Sequence, residues 1–173
     1  PETLSPYPAR VERLRAALPE RDALLILGEK NIRYLTGFTG SDGALMVGPD
    51  WLTLLVDGRY VTQARQEAVG AEVFEFRIRA EGIESVARRQ KVGAIDFESP
   101  VLTVDEYFRL QEKLSGVTLR PLSGELQFLR AVKDDGEIGC IAEAARIASE
   151  ALAGVLAMVR PGVREKEIAV ELE

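Results

Sequence analysis

The chain has 173 residues, 46% of them hydrophobic, with 22 basic against 28 acidic side chains and a formal net charge of -6. That composition excludes a disordered chain and allows one packed domain of roughly 130 residues with a remainder, or one larger domain. No run of Lys or Arg exceeds two positions, so the electrostatic footprint of a nucleic-acid binder is missing, and no apolar run approaches the roughly 20 residues of a bilayer span.

Histidine is absent altogether. This excludes serine–histidine and cysteine–histidine catalysis within the chain and removes the commonest ligand of catalytic zinc. No Asp/Glu cluster is set on an apolar background as a paired-carboxylate site would be, so no catalytic and no metal-ligating residue is assigned. The single cysteine, Cys140, excludes an internal disulfide and reads as a small buried helix residue; with no basic and apolar leader at the start, the expected location is the cytoplasm.

In chain order, Pro8 suits a first helical turn, and Val11, Leu14 and Leu18 recur at three and four residues, predicting an amphipathic helix ending near Pro19. Ala23 to Leu27 has no polar alternation, the pattern of a central strand covered on both faces, which sets an α/β fold class. A stretch of unusual composition follows, Asn31 to Leu45, with glycines at 37, 40 and 43. Ile32 to Leu35 reads as a short helical turn opening into a loop at Thr36. The spacing Gly-x-x-Gly-x-x-Gly matches neither the dinucleotide fingerprint nor a phosphate-binding P-loop, which leaves a ligand loop or a plain connection with tight turns.

Two strands leave this loop, Ala44 to Val47 and Trp51 to Val56, separated by the turn residues Gly48, Pro49 and Asp50, as in a hairpin. Asp57-Gly58-Arg59-Tyr60 then opens a helix through about Ala68. Asp57 reads as its N-cap, with Arg59 and Tyr60 either reaching a ligand or holding the glycine loop, and Arg59 as an ion-pair partner for Asp42. Beyond residue 72 the pattern is strand (72–76), helix (83–90), strand (92–96), helix (103–114) and strand (118–121), the second helix opening on a Thr103/Glu106 capping box. The fold class is α/β, a mixed, largely parallel sheet flanked by helices over residues 1–123.

A linker is expected over 124–132, then a helical segment over 133–173 that has no aromatic residue. Ile138, Ile141, Ala145, Ala148, Leu152, Val155, Leu156 and Val159 form an apolar stripe at helical spacing that stops at Pro161-Gly162, and a second helix starts at about Val163. Two helices cannot bury such a stripe alone. The chain is therefore expected to stop inside a second domain.

Asn31-Ile32-Arg33-Tyr34-Leu35-Thr36-Gly37-Phe38-Thr39-Gly40-Ser41-Asp42-Gly43, Asp57-Gly58-Arg59-Tyr60 and Leu129-Arg130-Ala131-Val132-Lys133-Asp134-Asp135-Gly136-Glu137-Ile138 together, in this order, resemble the Xaa-Pro peptidase family of prolidase and aminopeptidase P. The resemblance implies a creatinase-like N-terminal domain and the first helices of a pita-bread catalytic domain. It further implies two divalent metal ions, with manganese expected, in an Asp, Asp, His, Glu, Glu ligand set beyond Glu173; a homodimer; and an Xaa-Pro dipeptide or peptide substrate. In such dimers a loop of the N-terminal domain approaches the partner's active site, which implies a substrate-binding role for Phe38, Ser41 and Asp42, while this chain alone is expected to be inactive. The sequence departs from the family at Gly136, where a longer charged residue is usual, and at Arg164, where Thr or Ser caps. A non-catalytic binding or dimerisation module and a creatinase-type amidinohydrolase are the alternatives, and dipeptidase against aminopeptidase stays open with a slight lean to the former.

Overall fold

The computed structural model describes residues 5–18 and 20–172. Pro19 and Glu173, where two sequence expectations fall, lie outside them. The chain divides into two compact units, Pro1–Arg130 and Ala131–Glu173.

The first unit is built on a six-stranded sheet of order β4-β3-β2-β1-β5-β6. Its strands are β1 (Ala23–Ile26), β2 (Ala44–Val47), β3 (Leu52–Asp57), β4 (Glu72–Phe76), β5 (Ala94–Glu98) and β6 (Thr118–Leu122). β1 and β5, β5 and β6, and β3 and β4 pair in parallel, while β1–β2 and β2–β3 are antiparallel. The antiparallel pairs are the hairpin expected from Gly48-Pro49-Asp50 and its return to β1, set into an otherwise parallel sheet.

Side chains of successive strand residues enter two separate cores, as the period of two requires. Leu24, Ile26, Leu45, Leu54 and Val56 pack under α1 (Tyr7–Ala17), α2 (Glu29–Thr36), α3 (Val61–Glu67) and α6 (Glu125–Leu129). Ala23, Leu25, Met46, Leu55, Ile95 and Phe97 pack under α4 (Arg79–Arg89) and α5 (Val104–Lys113). β1 is buried at all four positions because it sits between these layers, which is why its sequence shows no alternation.

Several boundaries differ from expectation for local reasons. The helical turn before the glycine loop is a full helix of eight residues, because Gly28 places its carbonyl to accept from Asn31 and Ile32 at 2.9 Å each. Asp57 does not cap α3: that helix begins at Val61 after Tyr60, and the Asp57 carboxylate instead accepts the Arg59 backbone N–H at 2.9 Å. The Thr103 box is present as read, Glu106 N–H donating to Thr103 Oγ1 at 3.2 Å. Within 124–132 a short helix, α6, forms and puts Leu126 into the core at 5% exposure.

The second unit contains α7 (Asp135–Leu156) and α8 (Glu165–Leu172). A second capping box opens α7, Glu137 N–H donating to Asp134 Oδ1 at 2.9 Å and Asp134 N–H to Glu137 Oε2 at 3.0 Å, and supports a first turn that Gly136 weakens. Cys140 is exposed on α7, correcting its reading as a buried residue. Ile138, Ile141, Leu152 and Leu156 of the apolar stripe are exposed as well, while Val155 is buried.

Candidate functional site

Gly37 ends α2 in the left-handed conformation, φ 84°, and its N–H donates to Arg33 O at 2.8 Å. A Cβ there would also lie 2.8 Å from the Tyr7 ring, so both backbone and space demand glycine. Thr36 then turns the chain inward, its hydroxyl donating to Ile32 O at 2.7 Å and accepting the Phe38 N–H at 3.2 Å.

Of the three residues implicated by resemblance, Ser41 is exposed, Asp42 is half-buried, and Phe38 is a core residue at 1% exposure. The Phe38 ring meets Tyr60 edge-on, centroids 6.0 Å apart at 88°, and presses against Gly40, where a Cβ would lie 2.2 Å from Cζ. The aromatic thus shapes the loop from beneath, and what reaches the surface is Thr39, Ser41 and the edge of Asp42.

The loop is clamped on both flanks. Glu67 on α3 accepts from Thr39 N–H at 2.7 Å and Thr39 Oγ1 at 2.8 Å, and Gln63 donates to Thr39 Oγ1 at 2.9 Å. The Thr39 N–H and then its hydroxyl hold the Glu67 carboxyl below the usual carboxylate range. Ser41 Oγ and Tyr60 Oη lie 2.7 Å apart in a hydrogen bond. Asp42 is bound by the Arg79 guanidinium from α4 and, more loosely, by Arg59 Nη2 at 3.4 Å. The Arg59 guanidinium is engaged chiefly by Asp57, at 2.6 Å from Oδ2, and this contact holds the Asp57 carboxyl below its ordinary value.

Arg79 is the organising residue that sequence reading missed. Its other terminal nitrogen, Nη1, donates to Glu106 at 3.2 Å, and Glu106 also closes the Thr103 capping box, so one guanidinium ties the glycine loop to the start of α5. Asp42 and Arg79 are 37 positions apart, and neither carries a local motif.

A second polar constellation sits at the carboxyl end of β5. Glu98, 8% exposed, accepts from Leu27 N–H at 3.1 Å, Gly28 N–H at 2.8 Å and Asn31 Nδ2 at 2.5 Å. It thereby satisfies, from within the chain, the backbone amides of Leu27 and Gly28 at the entry to α2.

These groups bind one another across the fold, and they do not assemble a nucleophile with a base. Among the described residues no group of three or more His, Cys, Asp or Glu is placed to hold a metal ion. No helix among them is long and apolar enough to cross a membrane.

Known proteins resemble most of this chain. The family model of the creatinase/prolidase N-terminal domain matches residues 10–132. The uncharacterized peptidase YqhT of Bacillus subtilis is 32% identical over 171 residues, 95% of this chain and 47% of that protein. An Xaa-Pro dipeptidase from Bacillus anthracis superposes with a TM-score of 0.90 at 33% identity, over 96% of this chain and 48% of that one. The N-terminal domain of the cytoplasmic peptidase PepQ from Mycobacterium tuberculosis is 39% identical with a TM-score of 0.62, over 70% of this chain and 95% of that one. The chain spans about half the length of the curated relatives it matches.

Proposed function

The chain belongs to the creatinase/prolidase N-terminal domain family, and from that premise we propose that it is the N-terminal portion of a metal-dependent Xaa-Pro peptidase, with the dipeptidase activity slightly favoured. The observation that carries this reading is the similarity to the Bacillus anthracis Xaa-Pro dipeptidase along 96% of the chain. The two divalent ions, manganese in this proposal, belong to residues beyond Glu173. The residues present do not fit such a site, since histidine is absent and no suitable cluster occurs among the described residues, so no step of hydrolysis is derived for them. When bound, the ions would activate a water for attack on the peptide carbonyl.

In this proposal the first unit serves subunit pairing and access of the Xaa-Pro substrate in a cytoplasmic homodimer. Ser41 and Asp42 meet the substrate at the partner's active site, Asp42 accepting from its free α-amino group. Phe38 contributes by fixing the path of the loop. The clamps from Glu67, Tyr60 and Arg79 support this role, because they hold the loop in one pose before a ligand arrives and so lower the ordering cost of binding.

The test is hydrolysis of Leu-Pro and Ala-Pro with added manganese, alongside longer Xaa-Pro peptides and creatine. The full-length protein is expected to cut Xaa-Pro bonds and the 173-residue chain to be inactive. Turnover of creatine alone, or of none of these substrates, overturns the reading.

A further inference from the structure

Asp42 stands between two guanidiniums that hold it in different ways. Its Oδ1 is bound by Nη2 of Arg79, the first residue of α4. Its Oδ2 lies 3.4 Å from Nη2 of Arg59, longer than an ordinary hydrogen bond. The Arg79 side chain is only 32% exposed and its Nε is buried. Its Nη1 donates to Glu106 Oε1 at 3.2 Å, and Glu106 Oε2 in turn accepts from the Thr103 N–H at 3.2 Å and hydroxyl at 2.8 Å. Arg79 is therefore anchored at its root and through α5, and it is held in place independently of the glycine loop.

Arg59 is the opposite case. Its side chain is 70% exposed, and Asp57 engages it through Nε to both carboxylate oxygens at 3.1 Å and through Nη2 to Oδ2 at 2.6 Å. The reach to Asp42 is a long, exposed contact of the kind that contributes little. One oxygen of Asp42 is thus fixed from within the chain, while the other faces a cation that can leave it and keep its main pairing.

We propose that Arg79 is a positioning residue for the Xaa-Pro substrate, a role that rests on Asp42 meeting the substrate's amino group as proposed above. By fixing Oδ1, Arg79 presents Oδ2 to the substrate's α-ammonium, which takes the place of Arg59 Nη2. Without Arg79 the freed carboxylate turns to Arg59, and the acceptor is lost to the substrate. Charge alone predicts the reverse: deleting a cation beside a cationic substrate strengthens the attraction. The sign of the change in KM therefore separates positioning from bulk electrostatics.

The experiment is steady-state kinetics of the full-length protein on Leu-Pro with added manganese, for the wild type, R79Q, R79K, R59Q, D42N and the R79Q/D42N and R79K/D42N pairs. R79Q should raise KM at least about 10-fold, the effect of one hydrogen bond to a charged group, with kcat changed less than about 2-fold. R79K keeps a cation for Asp42 but loses the fork that also reaches Glu106, so its KM should fall between wild type and R79Q. R59Q should leave KM equal or lower. In the D42N protein neither R79Q nor R79K should raise KM further, which an effect running through Glu106 and α5 would not produce. Where R79Q does not fold, R79K with and without D42N reads the same coupling. A KM unchanged or lowered in both Arg79 variants, a KM raised in R59Q, or Arg79 and Asp42 effects that simply add overturns the positioning role while Leu-Pro turnover by the wild type keeps the Xaa-Pro reading. A wild type that cuts no Xaa-Pro bond overturns that reading and the role of Arg79 with it.

Discussion

Gly40 and Phe38 should behave as a single packing unit. An alanine Cβ at position 40 would lie 2.2 Å from Phe38 Cζ and 2.7 Å from Cε1. Carbon atoms rest at about 3.5–4 Å, so the ring must retreat by more than about 1 Å. It has little room, being 1% exposed with Tyr60 packed edge-on beside it. Overpacking of this kind costs about 1–3 kcal/mol, offset by about 0.4–1 kcal/mol from the stiffer unfolded chain, so Gly40→Ala should destabilise by up to about 2.6 kcal/mol, with a middle value of about 1.3 kcal/mol. Phe38→Leu, which shortens the group beneath, should cost about 1–2 kcal/mol alone. In the double variant the new methyl enters the space vacated by the ring, so adding Gly40→Ala to Phe38→Leu should cost almost nothing. The expected coupling equals the cost of Gly40→Ala alone, with a middle value of about 1.3 kcal/mol against the roughly 0.3–0.5 kcal/mol scatter of independent sites. Urea unfolding followed by fluorescence of Trp51, the one tryptophan, reports on the first unit. Additive costs in the double variant would refute this account of the loop.

Three further outcomes follow from the same contacts. Glu67 has its carboxyl pKa lowered in the fold, so its hold on Thr39 is present above the ordinary carboxyl value of 4.5 and is lost as pH falls through the depressed folded value. The Thr39 amide resonance should therefore titrate with a midpoint below 4.5, and Glu67→Gln should remove that step. Glu98→Gln sets a carboxamide N–H₂ against donors from Leu27, Gly28 or Asn31 and should cost about 2–3 kcal/mol in urea unfolding, an undiminished midpoint counting against the arrangement. Thr103→Ala removes the side-chain half of the α5 capping box and should cost about 1 kcal/mol, which thermal unfolding reads as a lower Tm.

What the sequence revealed was mostly local. The unalternating run of β1, the turn between β2 and β3, and the Thr103 box each depend on residues within a few positions of one another, and each was legible. The family resemblance likewise rested on contiguous motifs. The site itself depends on pairings across the fold: Arg79 meets Asp42, Glu67 meets Thr39, and Glu98 meets the amides of Leu27 and Gly28, none with a spacing rule to announce it. Even the local reading of Asp57 erred, because a strand-end carboxylate next to Arg59 has a closer cation and N–H than the helix beyond it. Phe38 shows the same limit, since an aromatic among glycines reads equally well as a surface contact or as a packed support, and burial is settled only by tertiary structure.

The order of strands also bears on how safely this sheet exists in a crowded solution. Its two outer strands are β4 and β6, and each would offer an open row of backbone groups to a stray chain. β6 carries Pro121, which has no N–H to donate, and β4 exposes Glu75, whose charge disfavours a second copy of the same strand. Both rims are thus guarded against edge-to-edge polymerisation, and Pro121→Val together with Glu75→Val is the pair of changes that would turn a protected sheet into an aggregating one.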